Sequence, residues 1–487
     1  MDNLKSKSIK AFIWDFVGKI LTQGMSFIFS IFLARLLSPS EFGLIAMIMV
    51  IIGIASVFTD IGLGGALIQR SRLLPVHFSS VFYFNLAIGL LLSIICYVSA
   101  GWVAVFYDSP ELELLTQVMA VSFVLSAFGS VQATKLRKDL NYAALTRASF
   151  IASLLSGGVG VALAFQGAGV WSLVAQNLLM GLVFNVAVWH FSAWRPALAF
   201  SFKALKQLWG FGFRMFLVGL LDAIYTRLDY LVIGKLFLPA TLGFFHRAKS
   251  LNLMVTRYSS GSLMSVLLPV LSQIKNNVPQ FKNIVRRTLG IISIISMFIV
   301  GSLYLVADEL IILLFSDKWM DSTYYFKILV LSGASYPINS LLVSVLSSRG
   351  KSKIFLRAAL LKKSIGGLNL LNLYLYGIES YLYGLILVSI LATSISVFMA
   401  ARESRIAVSF FYRTIIAQVI VLIVSIKSTQ YFFESIDYEL SNLFVFMLAK
   451  GSIFSIIFIT MNLVLRVKAF LFIIEQGQKT LKKRSLR

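Results

Sequence analysis

The chain has 487 residues, 58% of them hydrophobic and 13% charged, with a formal net charge of +24. No soluble fold of this length has interior enough for that apolar surface, so the composition excludes a soluble domain and indicates an integral membrane protein. The charge alone would fit a nucleic-acid binder, but its distribution along the chain argues against nucleic acid as a partner.

The N-terminus, MDNLKSKSIK, runs into an apolar stretch too long for a signal peptide and reads as a retained first helix. Runs such as AMIMVIIGIASVF (46–58) and IISIISMFIVGSLYLV (291–306) are continuous, not alternating. That favours helices over barrel strands, because a helix satisfies its own backbone in lipid. Fourteen helical spans are predicted, at 11–36, 41–68, 78–105, 112–134, 145–166, 169–190, 208–236, 240–272, 284–306, 323–347, 354–376, 380–401, 413–433 and 441–465. The fold class is therefore all-α and membrane-embedded, with short connections. The lone Cys96 lies within a span and offers no intrachain disulfide. His77, His190 and His246 are too dispersed for a metal site. The glycines of GLGG (62–65) and SGGVG (156–160) lack a strand-turn-helix context and read as close helix packing. With no Walker lysine, HExxH or Ser-His-Asp order, the expectation is a transporter and not an enzyme, with no cofactor beyond a coupling H+ or Na+.

Sorting charges by alternate connections separates two sides. One side holds 32 of the 44 basic residues, including Lys5, Lys7, Lys10, Lys135, Arg137, Lys138, Arg349, Lys351, Lys353 and the tail from Arg466 to Arg487. The other holds 12 of the 20 acids, among them Glu41, Asp108, Glu111, Glu113, Asp308, Glu309 and Asp317. Basic connections stay inside, which places both termini in the cytoplasm and the acidic turns outside. The tail is read as solvated, with contact to anionic headgroups as the alternative.

The chain also repeats itself. ARLLSPSEFGL at 34–44 is answered by GKLFLPATLGF at 234–244, FYDSP at 106–110 by FSDKW at 315–319, and QGAGVWSLV at 166–174 by YGIESYLYG at 376–384. This gives an N-lobe of six spans at 1–200 and a C-lobe of six at 201–405, with two further helices at 406–466 and a basic tail at 467–487. An even number of spans per copy starts both on the same side, so the lobes should be related by a pseudo-two-fold along the membrane normal. Pro39 and Pro239 suit the first turn of the following helix, and Ser38 with Glu41 forms a capping box in the first copy only.

LARLLSPSEFGLIAM (33–47), DIGLGGALIQR (60–70) and LGFFHRAKSLNLM (242–254) together resemble bacterial polysaccharide-unit flippases of the multidrug/oligosaccharidyl-lipid/polysaccharide exporter superfamily. The resemblance implies translocation of an undecaprenyl-diphosphate-linked oligosaccharide from the cytoplasmic to the periplasmic leaflet of the inner membrane. It implies membrane lipids as surroundings, and a polysaccharide polymerase and glycosyltransferases as partners. A multidrug antiporter of the same superfamily is the nearest alternative, and a membrane polymerase or ligase a more distant one.

Charges inside spans supply the candidate site. Each costs roughly 2.5–3.5 kcal/mol at mid-membrane unless it faces a cavity or a partner. For a diphosphate the candidates are Lys19, Arg35, Lys235, Arg247, Lys249 and Arg257, since Lys and Arg answer phosphate oxygens with charge-assisted hydrogen bonds. Tyr225, Tyr258 and His246 are candidates for sugar contact, and Asp15, Asp222 and Asp229 for ion coupling. Against these stand plainer readings. Asp15 and Lys19, four apart, can neutralise each other. Arg35 and Lys235 suit helix C-termini, and Asp222 and Asp229 can pair with a neighbouring helix. Asp60 reads as a local cap.

Overall fold

The computed structural model describes residues 2–350, 352–436, 442–467, 469–472 and 474–475, and its regular elements are all helical. In chain order they are α1 (Asp2–Leu36), α2 (Pro39–Ala55), α3 (Leu63–Gln69), α4 (Pro75–Val98), α5 (Ala100–Phe106), α6 (Glu111–Met119), α7 (Val121–Lys138), α8 (Tyr142–Phe165) and α9 (Val170–Phe191). There follow α10 (Phe202–Leu236), α11 (Pro239–Gln273), α12 (Val278–Leu305), α13 (Ala307–Phe315), α14 (Asp321–Gly333), α15 (Tyr336–Ser348), α16 (Ser352–Ser404), α17 (Val408–Ile436) and α18 (Leu443–Val464). The tail from 476 onward lies outside the described residues.

Each of the fourteen predicted spans is met by a helix or by consecutive helices. Span 2 is α2 and α3 joined by a short 3-10 turn at Ser56–Thr59, and spans 3, 4, 9 and 10 are the runs α4–α5, α6–α7, α12–α13 and α14–α15. Among the described residues, eleven stretches are long and apolar enough to cross a membrane, the longest of them, Arg357–Ser404, holding two predicted spans. α10 and α11, which are predicted spans 7 and 8, stand outside that set.

Spans 11 and 12 run together in α16 and are broken only at Gly377, whose φ of 83° and ψ of −177° are non-helical. Its counterpart in the first copy, Gly167, has a φ of 78° and separates α8 from α9. A left-handed residue costs an L side chain roughly 1 kcal/mol or more, so the reversal between the last two spans of each copy is written as glycine.

Two compact units divide the chain, Met1–His246 and Arg247–Arg487. The repeat boundary at 200/201 belongs to sequence; the packing boundary falls inside α11. In the first unit α8 packs on α1 and α9, α4 packs on α7, and α10 lies against α2, α3 and α4. Small residues let these helices close. Gly157 of SGGVG meets Phe29 of α1, Gly160 meets Gln176 of α9, and Gly62 of GLGG meets the backbone of Gly212 in α10. Ser26 of α1 hydrogen-bonds Ser153 of α8 at 3.1 Å. In the second unit α12 packs on α15 and α17, α15 and α14 on α16, and α18 on α17 and α13.

The repeated corner is where the two copies meet within the first unit. Pro39 and Pro239 each open their helix. Ser38 and Glu41 form the capping box, with the Ser38 amide donating to Glu41 Oε2 at 2.6 Å and the Glu41 amide to Ser38 Oγ at 3.4 Å. A side-chain carbon on Gly43 would overlap the Pro239 carbonyl, and one on Gly243 would overlap the Pro39 carbonyl. Each proline turn therefore rests on the glycine of the other copy, a reciprocal contact of backbone on backbone.

Candidate functional site

α1 carries the first group of candidates. Its length leaves Asp15 and Lys19 one turn apart, and they form an ion pair of 2.6 Å with side chains 35% and 71% exposed. Such an accessible pair contributes roughly 0.3–0.5 kcal/mol, so it exchanges partners readily. Arg35 lies exposed in the last turn of the same helix, where a cation complements the helix dipole.

α10 carries the second group. Asp222 is exposed, Tyr225 half-buried, and Asp229 buried with its Oδ1 accepting from the Tyr230 amide at 2.9 Å. The two acids of the predicted stripe thus occupy different environments. Lys235, in the last turn, pairs with Asp108 at 2.7 Å and lies 5.5 Å over the Phe106 ring. Both partners belong to FYDSP, which sequence reasoning used only as a marker of the repeat. The opposition of an outward acid to the unusual outward cation was the signal that could have found them. Beside it Tyr107 packs with Met47 around Gly234, and burial pushes the Tyr107 phenol up to about 12, so it stays neutral.

α11 carries the third group. In the first unit, His246 is half-buried with its ring 5.8 Å from that of Tyr230. In the second, Arg247 is 3% exposed, with its guanidinium 4.7 Å from the Phe315 ring and 5.1 Å from the Trp319 ring. Cation–π attraction of this kind is strongest where water is excluded. FSDKW thus supplies rings to Arg247 as FYDSP supplies a ring to Lys235, and the position 200 residues before Arg247 is the buried Met47. Lys249 is half-buried. The side chains of Arg257 and Tyr258 lie outside the described residues.

Several of the remaining embedded charges find partners within their units. Asp60 caps α3, accepting from the Gly64 amide at 3.0 Å and from Asn85 at 3.2 Å, as a local cap should. In the second unit Lys327 pairs with Asp308 at 2.6 Å and Lys450 with Glu309 at 2.5 Å. His77 accepts from the Leu74 amide at 3.2 Å through Nδ1 and meets Gln207 at 3.1 Å through Nε2, so it is spent on joining α4 to α10. The predicted residues thus lie on α1, α10 and α11, with Asp15–Lys19 and Lys235–Asp108 as accessible pairs in the first unit and Arg247 against the rings of Phe315 and Trp319 in the second.

The family model for "Polysaccharide biosynthesis protein" matches residues 32–324. The chain is 25% identical to the succinoglycan biosynthesis transport protein ExoT of Rhizobium meliloti, over 72% of this chain and 71% of that one. It is 21% identical to the lipopolysaccharide biosynthesis protein WzxC of Escherichia coli, over 70% and 71%. It is 25% identical to the probable low-salt glycan biosynthesis flippase Agl15 of Haloferax volcanii, over 67% and 68%. Among solved structures its fold is similar to that of the lipid II flippase MurJ in an inward closed conformation, with a TM-score of 0.70, 15% identity, and coverage of 94% of this chain and 98% of that one. It is also similar to an inward-facing multidrug resistance transporter of the MOP superfamily, with a TM-score of 0.54, 15% identity, and coverage of 81% and 96%. With more than half of its length matched by the family model, the chain belongs to the polysaccharide biosynthesis protein family.

Proposed function

We propose that the protein flips a lipid-diphosphate-linked oligosaccharide from the cytoplasmic to the periplasmic leaflet of the inner membrane, for polysaccharide assembly, by alternating access coupled to H+ or Na+. The observation that carries this reading is the accessible charge along α1 and α10. Lys19, Arg35, Asp222 and Lys235 are all exposed on helices of a membrane protein, at a cost of roughly 2.5–3.5 kcal/mol for each that lies at mid-membrane without water or a partner. A polar, doubly charged headgroup is the cargo that makes such a lining useful. The similarity to a succinoglycan transport protein and a probable glycan biosynthesis flippase supports the same class of cargo.

In this reading Lys19, Arg35, Lys235, Arg247, Lys249 and Arg257 meet the diphosphate, Tyr225, Tyr258 and His246 the sugars, and Asp15, Asp222 and Asp229 the coupling ion. Both termini are cytoplasmic, and a polymerase and glycosyltransferases work on either side of the step. Cells depleted of the protein should accumulate lipid-linked repeat units in the cytoplasmic leaflet, measured by the accessibility of the glycan to an external glycosidase. Undiminished delivery to the periplasm after depletion would sink the flippase reading.

A further inference from the structure

Four lysines set into the helices have their charge answered by a carboxylate of their own unit: Lys19, Lys235, Lys327 and Lys450 each hold an acid within 2.7 Å. Arg227 does not. It sits in the C-terminal third of α10, half-buried, and among the described residues no carboxylate lies within ion-pair distance of it. Its Nη1 donates to the Met49 carbonyl of α2 at 2.6 Å. Its guanidinium lies over Gly53, four residues further along α2, so closely that a side-chain carbon there would overlap it. One donor is thus used to fix the group's position, and a guanidinium has four more. An Arg fixed in this way, with its charge uncancelled, is suited to an oxyanion that takes two parallel N–H donors.

The other copy shows that packing alone does not require this pair. At the offset of 200 residues, Arg227 corresponds to Phe27 and Gly53 to Leu253. Where the repeat has two apolar side chains, this half has a cation and the space for it.

We infer that Arg227 is a specificity-determining residue for cargo, and that its guanidinium takes a phosphate of the lipid-linked diphosphate while α2 holds it through Met49 and Gly53. The inference rests on the flippase reading above and adds to it a residue not among the sequence candidates. Arg227→Gln removes the charge. Gly53→Ala leaves the charge but displaces it, because the group in the way is the end of a flexible side chain. Arg227→Lys keeps the charge without the paired donors.

The test is binding of undecaprenyl diphosphate and of undecaprenol to the purified full-length protein in lipid nanodiscs. The wild type should prefer the diphosphate, and both Arg227→Gln and Gly53→Ala should reduce that preference about tenfold, with Arg227→Lys between them. Thermal unfolding of the same samples monitors the fold, and Gly53→Ala carries the test should Arg227→Gln fail to assemble. A wild-type preference that survives both Arg227→Gln and Gly53→Ala, or Gly53→Ala alone should Arg227→Gln not fold, overturns the role of Arg227 and leaves the flippase reading standing. A wild type with no preference for the diphosphate overturns both.

Discussion

Lys450 and Glu309 show how a charge is kept inside this protein. The Glu309 side chain is 5% exposed, and its Oε1 accepts from Lys450 Nζ at 2.5 Å, while the ammonium also lies 4.4 Å over the Phe446 ring. Removing one partner of such a pair leaves a buried charge unanswered, at a cost of about 3–5 kcal/mol. Lys450→Met should therefore lower the thermal unfolding temperature sharply, and the double variant Lys450→Met, Glu309→Gln should recover most of the loss, as read in a double-mutant cycle. Some of this scale is legible in the sequence. Asp15 with Lys19, the Ser38–Glu41 box and the Asp60 cap are local, and spacing of three or four residues fixes them. Lys235 with Asp108, Lys450 with Glu309 and Arg247 with Phe315 and Trp319 are not, because their partners lie 68 to 141 positions away in the chain. Arg227 escaped for a related reason: its fixed position depends on a carbonyl and a glycine of another helix, and neither advertises a charge partner.

At the scale of elements, the fourteen spans were readable because an apolar run of some 20 residues is dictated by the bilayer itself. Their internal breaks were not, since the 3-10 turn after Ala55 and the joints at Ser99, Ala120 and Val306 involve no residue that forbids a helix. Glycine distinguishes two kinds of position within α16. Gly367 is helical with open space around the position of its missing side chain, whereas Gly377 has a φ of 83°. Gly367→Ala should stabilise the helix by about 0.5–1 kcal/mol. Gly377→Ala should destabilise it by about 1–2 kcal/mol, because alanine resists the left-handed turn. Differential scanning of the two variants against the wild type checks both signs.

At the scale of the whole molecule, the internal repeat meets itself in the contact between the two proline corners, inside the first unit. Neither Gly43 nor Gly243 has room for a methyl group, and what stands in the way is backbone, which cannot swing aside as a side chain does. Gly43→Val or Gly243→Val should cost roughly 1–3 kcal/mol or more and reduce glycan export. Gly24→Ala and Gly158→Ala, at positions with open space, should do neither, as measured by unfolding temperature and periplasmic glycan yield. The contact also records descent. Proline of one copy on glycine of the other, and the converse, is the pattern of an isologous interface, in which position i meets j and j meets i. A six-span ancestor bearing this corner would have been complementary to a second copy of itself. In such an ancestor the corner would need no link between α9 and α10 to meet its copy, since both sides of the contact are written in the same eleven residues.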